Sequence, residues 1–302
     1  MRRLALLPLT LLALAAPAAA GGPAPPRVGG CQVFPRSNAW NEDVSRLPIS
    51  PRSAQYVAAI DSGSSHFLHA DFGGGAYGIP FVVVPRSQRR VPIRFDAYGE
   101  ESDPGPYPIP LGAPVEGGSD RHAIALQRGT CRLYELYDAR RSGRGWVAGS
   151  GAVWNLRSNR LRPRGWTSAD AAGLPILPGL VRYSEVRSGA IHHAIRFTVA
   201  RSQRGYVLPA THFASSSTDP SLPPMGLRLR LKASYDISRF HGEARVILVA
   251  LERYGMIVAD NGTSWYLTGA SDRRWDDADL DQLKRVPGSA FEAVDTGPVH
   301  TS

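Results

Sequence analysis

Cysteine and lysine are the scarcest informative residues in this 302-residue chain, with two cysteines and with only Lys232 and Lys284 among 35 basic side chains. Two cysteines do not build a disulfide scaffold, and a chain of this length does not need one, being long enough for an ordinary hydrophobic core. After the first twenty residues no apolar run is long enough to span a bilayer. No G-x-S-x-G elbow, no P-loop and no strand–turn–helix Rossmann fingerprint is present, so no nucleotide or other cofactor is implied.

What the N-terminus does contain is a secretory pattern. Met1, Arg2 and Arg3 precede an apolar run over 4–16, and the small-residue tripeptide Ala18-Ala19-Ala20 follows. A charged start, a short apolar stretch and an A-x-A site describe a signal peptide over 1–20 and predict a secreted or periplasmic protein. A buried N-terminal helix, the competing reading, needs a polar face and a stop that this run lacks. Residues 21–30 are Gly- and Pro-rich and read as a disordered spacer, leaving 31–302 as a single domain. In an oxidising compartment Cys31 and Cys131 can form one bridge that pins the start of the domain to its body.

The formal net charge of +9 favours anionic partners. Its arginines are scattered and interleaved with acids, as in Asp272-Arg273-Arg274-Trp275-Asp276-Asp277, unlike the concentrated patch of a nucleic-acid protein. An extracellular polysaccharide or an anionic cell-envelope polymer suits the charge better, with no nucleic acid and no membrane span in the mature chain.

Short apolar or alternating runs over 78–84, 91–98, 121–126, 133–138, 151–156, 193–199 and 227–232 predict strands. The Pro-rich acidic loop over 100–110 offers carboxylates to cations or to water, and 158–183 forms a long irregular excursion with one helical turn at 167–170. Ala244, Ile247, Leu248 and Leu251 lie at helical spacing, with Asp236 or Ser238 as cap and Gly255 as stop. Residues 256–259 and 265–268 flank Asn261-Gly262 as a hairpin, and 278–284 reads as a second short helix. The expected fold is mainly β: a jelly-roll-like antiparallel β-sandwich with one or two helices packed near the C-terminus.

Strand alternation places three polar side chains in apolar phase: His122 with Ile124 and Leu126, Glu135 with Leu133 and Tyr137, and His193 with Ile195 and Phe197. A carboxylate and two imidazoles on a concave sheet suit general acid–base chemistry. The same residues also suit a fully paired polar cluster that fixes strand register. Arg121 and either Tyr134 or Tyr137 would join His122 and His193 in neutralising a uronate and moving protons during elimination. Glu135 with Glu116, Asp120 or Asp138 would instead serve glycoside hydrolysis. Asp138 lies three residues along the strand from Glu135 and so on its opposite face. The basic balance favours elimination from an acidic glycan.

Trp146, Trp166 and Trp275 lie in polar or loop contexts and can form a sugar-stacking platform, whereas Trp154 and Trp265 belong to strands and the core; Asp120, flanking the strands of His122 and Glu135, can line the rim of the site and bind substrate. That platform is the basis of a second reading, a non-catalytic carbohydrate-binding or envelope protein. His66-x-x-His69 with Asp71, and His192-His193 with His212, lack the spacing of a helical zinc motif, so no metal is assigned. Finally, the segments 158–163, 165–176 (Gly-Trp-Thr-Ser-Ala-Asp-Ala-Ala-Gly-Leu-Pro-Ile) and 254–262 (Tyr-Gly-Met-Ile-Val-Ala-Asp-Asn-Gly) resemble those of a family of secreted bacterial proteins with no established activity. That resemblance covers most of the mature chain and implies export and one long domain, and it transfers no site residue.

Overall fold

The computed structural model describes residues 23–72 and 77–301. The signal-peptide reading therefore lies outside the described residues. Mainly strands in several sheets, with 17% of residues helical against 25% in strands, make this a β-rich protein.

β1 (Arg27–Val28) and β2 (Cys31–Gln32) form a small antiparallel ribbon. This corrects the disordered spacer: Gly29 and Gly30 take positive φ and turn the chain, and Cys31 is bonded to Cys131. α1 (Ser53–Asp61), which sequence reading missed, follows. Then come β3 (Phe81–Val84), β4 (Ile93–Phe95), β5 (Ala123–Gln127), β6 (Arg132–Tyr137), β7 (Arg140–Ser142), β8 (Gly145–Ala148) and β9 (Ser150–Asn155). The C-terminal half holds α2 (Tyr183–Arg187), β10 (Ile195–Val199), β11 (Arg228–Leu231), α3 (Gly242–Arg253), β12 (Met256–Asn261), β13 (Tyr266–Leu267), α4 (Asp277–Leu280) and β14 (Phe291–Ala293).

Three larger sheets result, ordered β13-β10-β12-β11-β14, β3-β5-β6-β9 and β4-β8-β7. The wholly antiparallel ladder expected from the sequence is interrupted, because β3·β5, β4·β8 and β10·β12 are parallel. The expected hairpin around Asn261-Gly262 does not form either. β10, apolar on one face and arginine-bearing on the other, lies between β12 and β13 and pairs with both.

The β3-β5-β6-β9 sheet is covered on both faces. Ile124, Leu126, Leu133 and Trp154 point into the main core with β10–β12 and α3, while Ala123, Ala125, Tyr134 and Leu136 point into a smaller core closed by Trp146, Ile109 and Tyr107. Such double burial explains why β5 is apolar without strict alternation. α3 buries Ala244, Ile247, Leu248 and Leu251, as their spacing predicts. Its cap comes from elsewhere: Asp279 accepts from the backbone N–H groups of Glu243 and Ala244, while Asp236 and Ser238 make a local turn with each other. Gly255 ends the helix at φ +65°, where a Cβ would lie 2.2 Å from the Leu229 carbonyl.

The excursion at 158–183 lacks the expected helical turn at 167–170 and is tied down there by polar contacts. Arg162 donates to the carbonyls of Thr167 and Glu101 and to the Asp103 carboxylate, and Glu101 accepts from the Thr167 N–H. The carboxylates at 101 and 103 thus serve protein donors, which narrows the expectation that the acidic loop faces cations or water.

Candidate functional site

The three polar side chains singled out from alternation occupy separate, enclosed environments. Glu135 has no solvent exposure and accepts from the Trp154 indole N–H at 3.0 Å and the backbone N–H groups of Ile176 and Leu177 at 2.9–3.1 Å. Burial pushes its carboxyl up to about 7 against the pull of those donors. His193 faces the Ala194 carbonyl at 2.7 Å and the Glu185 carboxylate at 3.1 Å. Burial disfavours the Glu185 charge, but Arg182 and His193 outweigh it and hold that carboxyl down at about 2. His122 places Nδ1 2.5 Å from Glu116 and Nε2 2.9 Å from the Ala169 carbonyl. Neither partner donates, so burial's pressure on the imidazolium is overcome by Glu116, and the His122 pKa is raised. Among the described residues no hydrogen bond or ring contact joins these three groups, and the expected convergence of His122, Glu135 and His193 in one open groove is corrected.

Other expectations change with them. Trp146 and Trp275 are buried, donating their indole N–H groups to the carbonyls of Ile109 and Ala270, and cannot form a platform. Trp166 is half-buried beneath the Arg162 guanidinium. Arg121, at φ +49°, is half-exposed and lies 3.9 Å from Asp138. His69 stacks on Tyr266, His192 lies beside Tyr254 and His212 hydrogen-bonds the Ala171 carbonyl. Among the described residues no group of three or more His, Cys, Asp or Glu side chains is arranged to hold a metal ion.

Polar groups do meet solvent at a cleft of about 230 Å3 between the end of β12, the end of β6 and the 167–171 segment. Asp120 and Tyr137, both named from sequence, line it, together with Tyr98, Asp170, His212 and Asp260. Behind it Arg196 projects from the β10 face opposite Ile195 and Phe197. Its guanidinium grips Asp170 with two bonds, Nε to Oδ2 at 2.9 Å and Nη2 to Oδ1 at 2.8 Å, and donates to Thr268 Oγ1 at 2.8 Å. Asp260, at 3.3 Å from the same Nη2, is the surplus carboxylate. A register shift between Phe197 and Thr198 sets Asp260 opposite Thr198 and at the cleft edge. Burial, then the negative charge of Asp170, lift Asp260 to about 7, with Arg196 opposing. Its side chain keeps 22% exposure.

The cleft wall is built by tight backbone geometry. Asp170 N–H donates to Ser168 Oγ, Ser150 Oγ–H donates to the Ser168 carbonyl, and Gly173 at φ +70° leaves room where a Cβ would strike Thr211 Oγ1 at 2.2 Å. Asp260, Arg196 and Asp170 were not identified as a site from sequence. The available signal was a carboxylate directly ending the apolar run 256–259. Larger grooves exist elsewhere, but this one combines an accessible carboxyl displaced in pKa with a second carboxylate and exposed tyrosine. No family model, curated protein or solved structure matches this chain.

Proposed function

We propose that this is an exported β-protein that hydrolyses a glycan, with Asp260 as general acid and Asp120 as the partner carboxyl group that activates water or attacks the sugar. The observation that carries the reading is Asp260: a partly accessible carboxyl kept protonated to about pH 7, facing a cleft that a second carboxylate also lines. Asp260 would protonate the departing glycosidic oxygen. Asp120 would meet the positive charge developing at the anomeric carbon. Tyr98, 48% exposed, and Tyr137 supply flat rings for the C–H faces of a sugar.

The lining favours hydrolysis over the elimination expected from sequence. Elimination needs a free cation against the uronate carboxylate, whereas among the described residues no arginine or lysine lines the cleft: Arg196 behind it is engaged by Asp170 and Asp260, His122 by Glu116, and Arg121 lies outside the lining beside Asp138. Export is supported by the Cys31–Cys131 bridge, which suits an extracellular or periplasmic space, and among the described residues no helix is long and apolar enough to cross a membrane. The segments 165–176 and 254–262, through which the chain resembles exported bacterial proteins, contribute the cleft wall and Asp260 itself.

Incubating the purified protein with neutral and acidic polysaccharides, while reading new reducing ends and unsaturated-uronate absorbance, tests the proposal. Reducing ends without absorbance are expected, with activity declining as pH rises past about 7. D260N should lose on the order of 10²–10⁴-fold in rate. Uronate absorbance, retention without cleavage, or an active D260N would overturn the assignment.

A further inference from the structure

We infer that a second groove, remote in composition from the cleft, is a binding site for the carboxylates of an acidic polysaccharide. The groove has a volume of about 560 Å3, and the charged side chains lining it are Arg27, Arg182, Arg274 and a single carboxylate, Asp272. This is the reverse of the cleft, which is lined by carboxylates.

Each guanidinium is fixed yet retains donors. Arg274 lies 4.5 Å above the Tyr183 ring and gives Nε and Nη2 to Asp272 at 2.8 and 2.6 Å, leaving both Nη1 protons. Arg27 gives Nη2 to the Gly30 carbonyl at 2.6 Å, leaving Nε and Nη1. Arg182 is 3% exposed; Nη1 bonds the carbonyls of Leu177 and Leu180, Nη2 bonds Glu185, and its Nε–H has no acceptor. Arg182 thus sets a fixed, buried guanidinium into the lining of the groove beside the two more accessible ones.

The geometry suits carboxylate forks better than diffuse charge. Planar guanidiniums held by stacking and by backbone anchors lose little freedom on binding a planar, two-oxygen anion. Tyr183 and Phe81, which also line the groove, offer apolar surface to the sugar ring that bears it. A uronate polymer repeats that combination along its length. The inference stands apart from cleavage at Asp260, since binding here needs no chemistry.

Binding of polygalacturonate, a sulfated glucan and a neutral glucan to the purified protein provides the test. The polyuronate should bind in preference to both others, and R27A/R274A should weaken it at least tenfold while R144A/R239A, at exposed positions outside the groove, should not. R274K, which keeps the charge and removes the fork, should recover only part of the affinity. D260N should bind as the unaltered protein does, so loss of hydrolysis and loss of binding remain distinguishable. Equal weakening by the control pair, unchanged affinity in R27A/R274A, or preference for the sulfated polymer would overturn the inference; unchanged thermal midpoints of the variants confirm that folding is not the cause.

Discussion

Glu135 and Asp260 are two carboxyls lifted to about 7, one in the interior and one at the cleft. Their surroundings differ in kind. Glu135 is surrounded by neutral donors, two backbone N–H groups and an indole, and has no exposure. Asp260 shares an arginine with another carboxylate and keeps a path to water. A displaced pKa therefore identifies burial in both places, and only access separates a group that organises the fold from one able to exchange a proton with substrate.

The sharpest way to break this comparison is to remove the charge on which the cleft depends. Arg196→Met leaves Asp170, whose side chain has no exposure, without its counter-ion. A loss of roughly 3–5 kcal/mol in unfolding free energy is expected, measured by denaturant titration. Adding D170N removes the orphaned charge and should recover a large share. If R196M alone is neutral, the guanidinium does not hold the cleft together.

At the interior carboxyl the effect should be smaller and purely structural. E135Q turns one acceptor oxygen into an NH2 group facing N–H donors, at a cost of about 1–3 kcal/mol. The folded fraction should cleave glycan at an unchanged rate. A large fall in rate constant without a fall in stability would place Glu135 in the chemistry and erase the distinction from Asp260.

Much of this contrast was hidden in the sequence for identifiable reasons. Alternation correctly puts Glu135 on the face of Leu133 and Arg196 opposite Ile195, because side-chain direction along a strand is local. It does not reveal that 176–177 would present backbone N–H groups to Glu135, since that depends on how the 158–183 excursion folds back. The Asn-Gly turn signal pointed to a 256–268 hairpin. The structure instead inserts β10 between the two strands, and that insertion brings Arg196 within reach of Asp260. Asp120 and Tyr137 were legible as candidate site residues, but their shared cleft arises from the distant 167–171 segment. Trp146 and Trp275 misled because polar neighbours in sequence say little about burial when a carbonyl waits to accept the indole N–H.

The smallest expected effect is the most specific to the comparison: the dependence of stability on pH. Asp260 titrates near 7 in the folded protein and near its ordinary 3.8 in the unfolded chain. Between these values the folded state holds a proton that the unfolded state has released. The contribution is complete below about 3.8 and disappears as pH climbs through about 7. Glu135, lifted from 4.5 to about 7 by burial, acts in the same direction. Glu185 acts oppositely: held at about 2, its contribution is complete above 4.5 and is lost as pH falls through 2. Stability should therefore peak in mild acid and fall between pH 5 and 7, each proton contributing a slope of at most about 1.4 kcal/mol per pH unit. Both D260N and E135Q should flatten that decline relative to the unaltered protein, measured by denaturant titration at stepped pH. Their responses to salt should differ, because the partly solvated Asp260 is screened and the sealed Glu135 is not. Identical salt dependence of the two variants would mean that access does not distinguish the two carboxyls, and the cleft would lose its claim to be the working site.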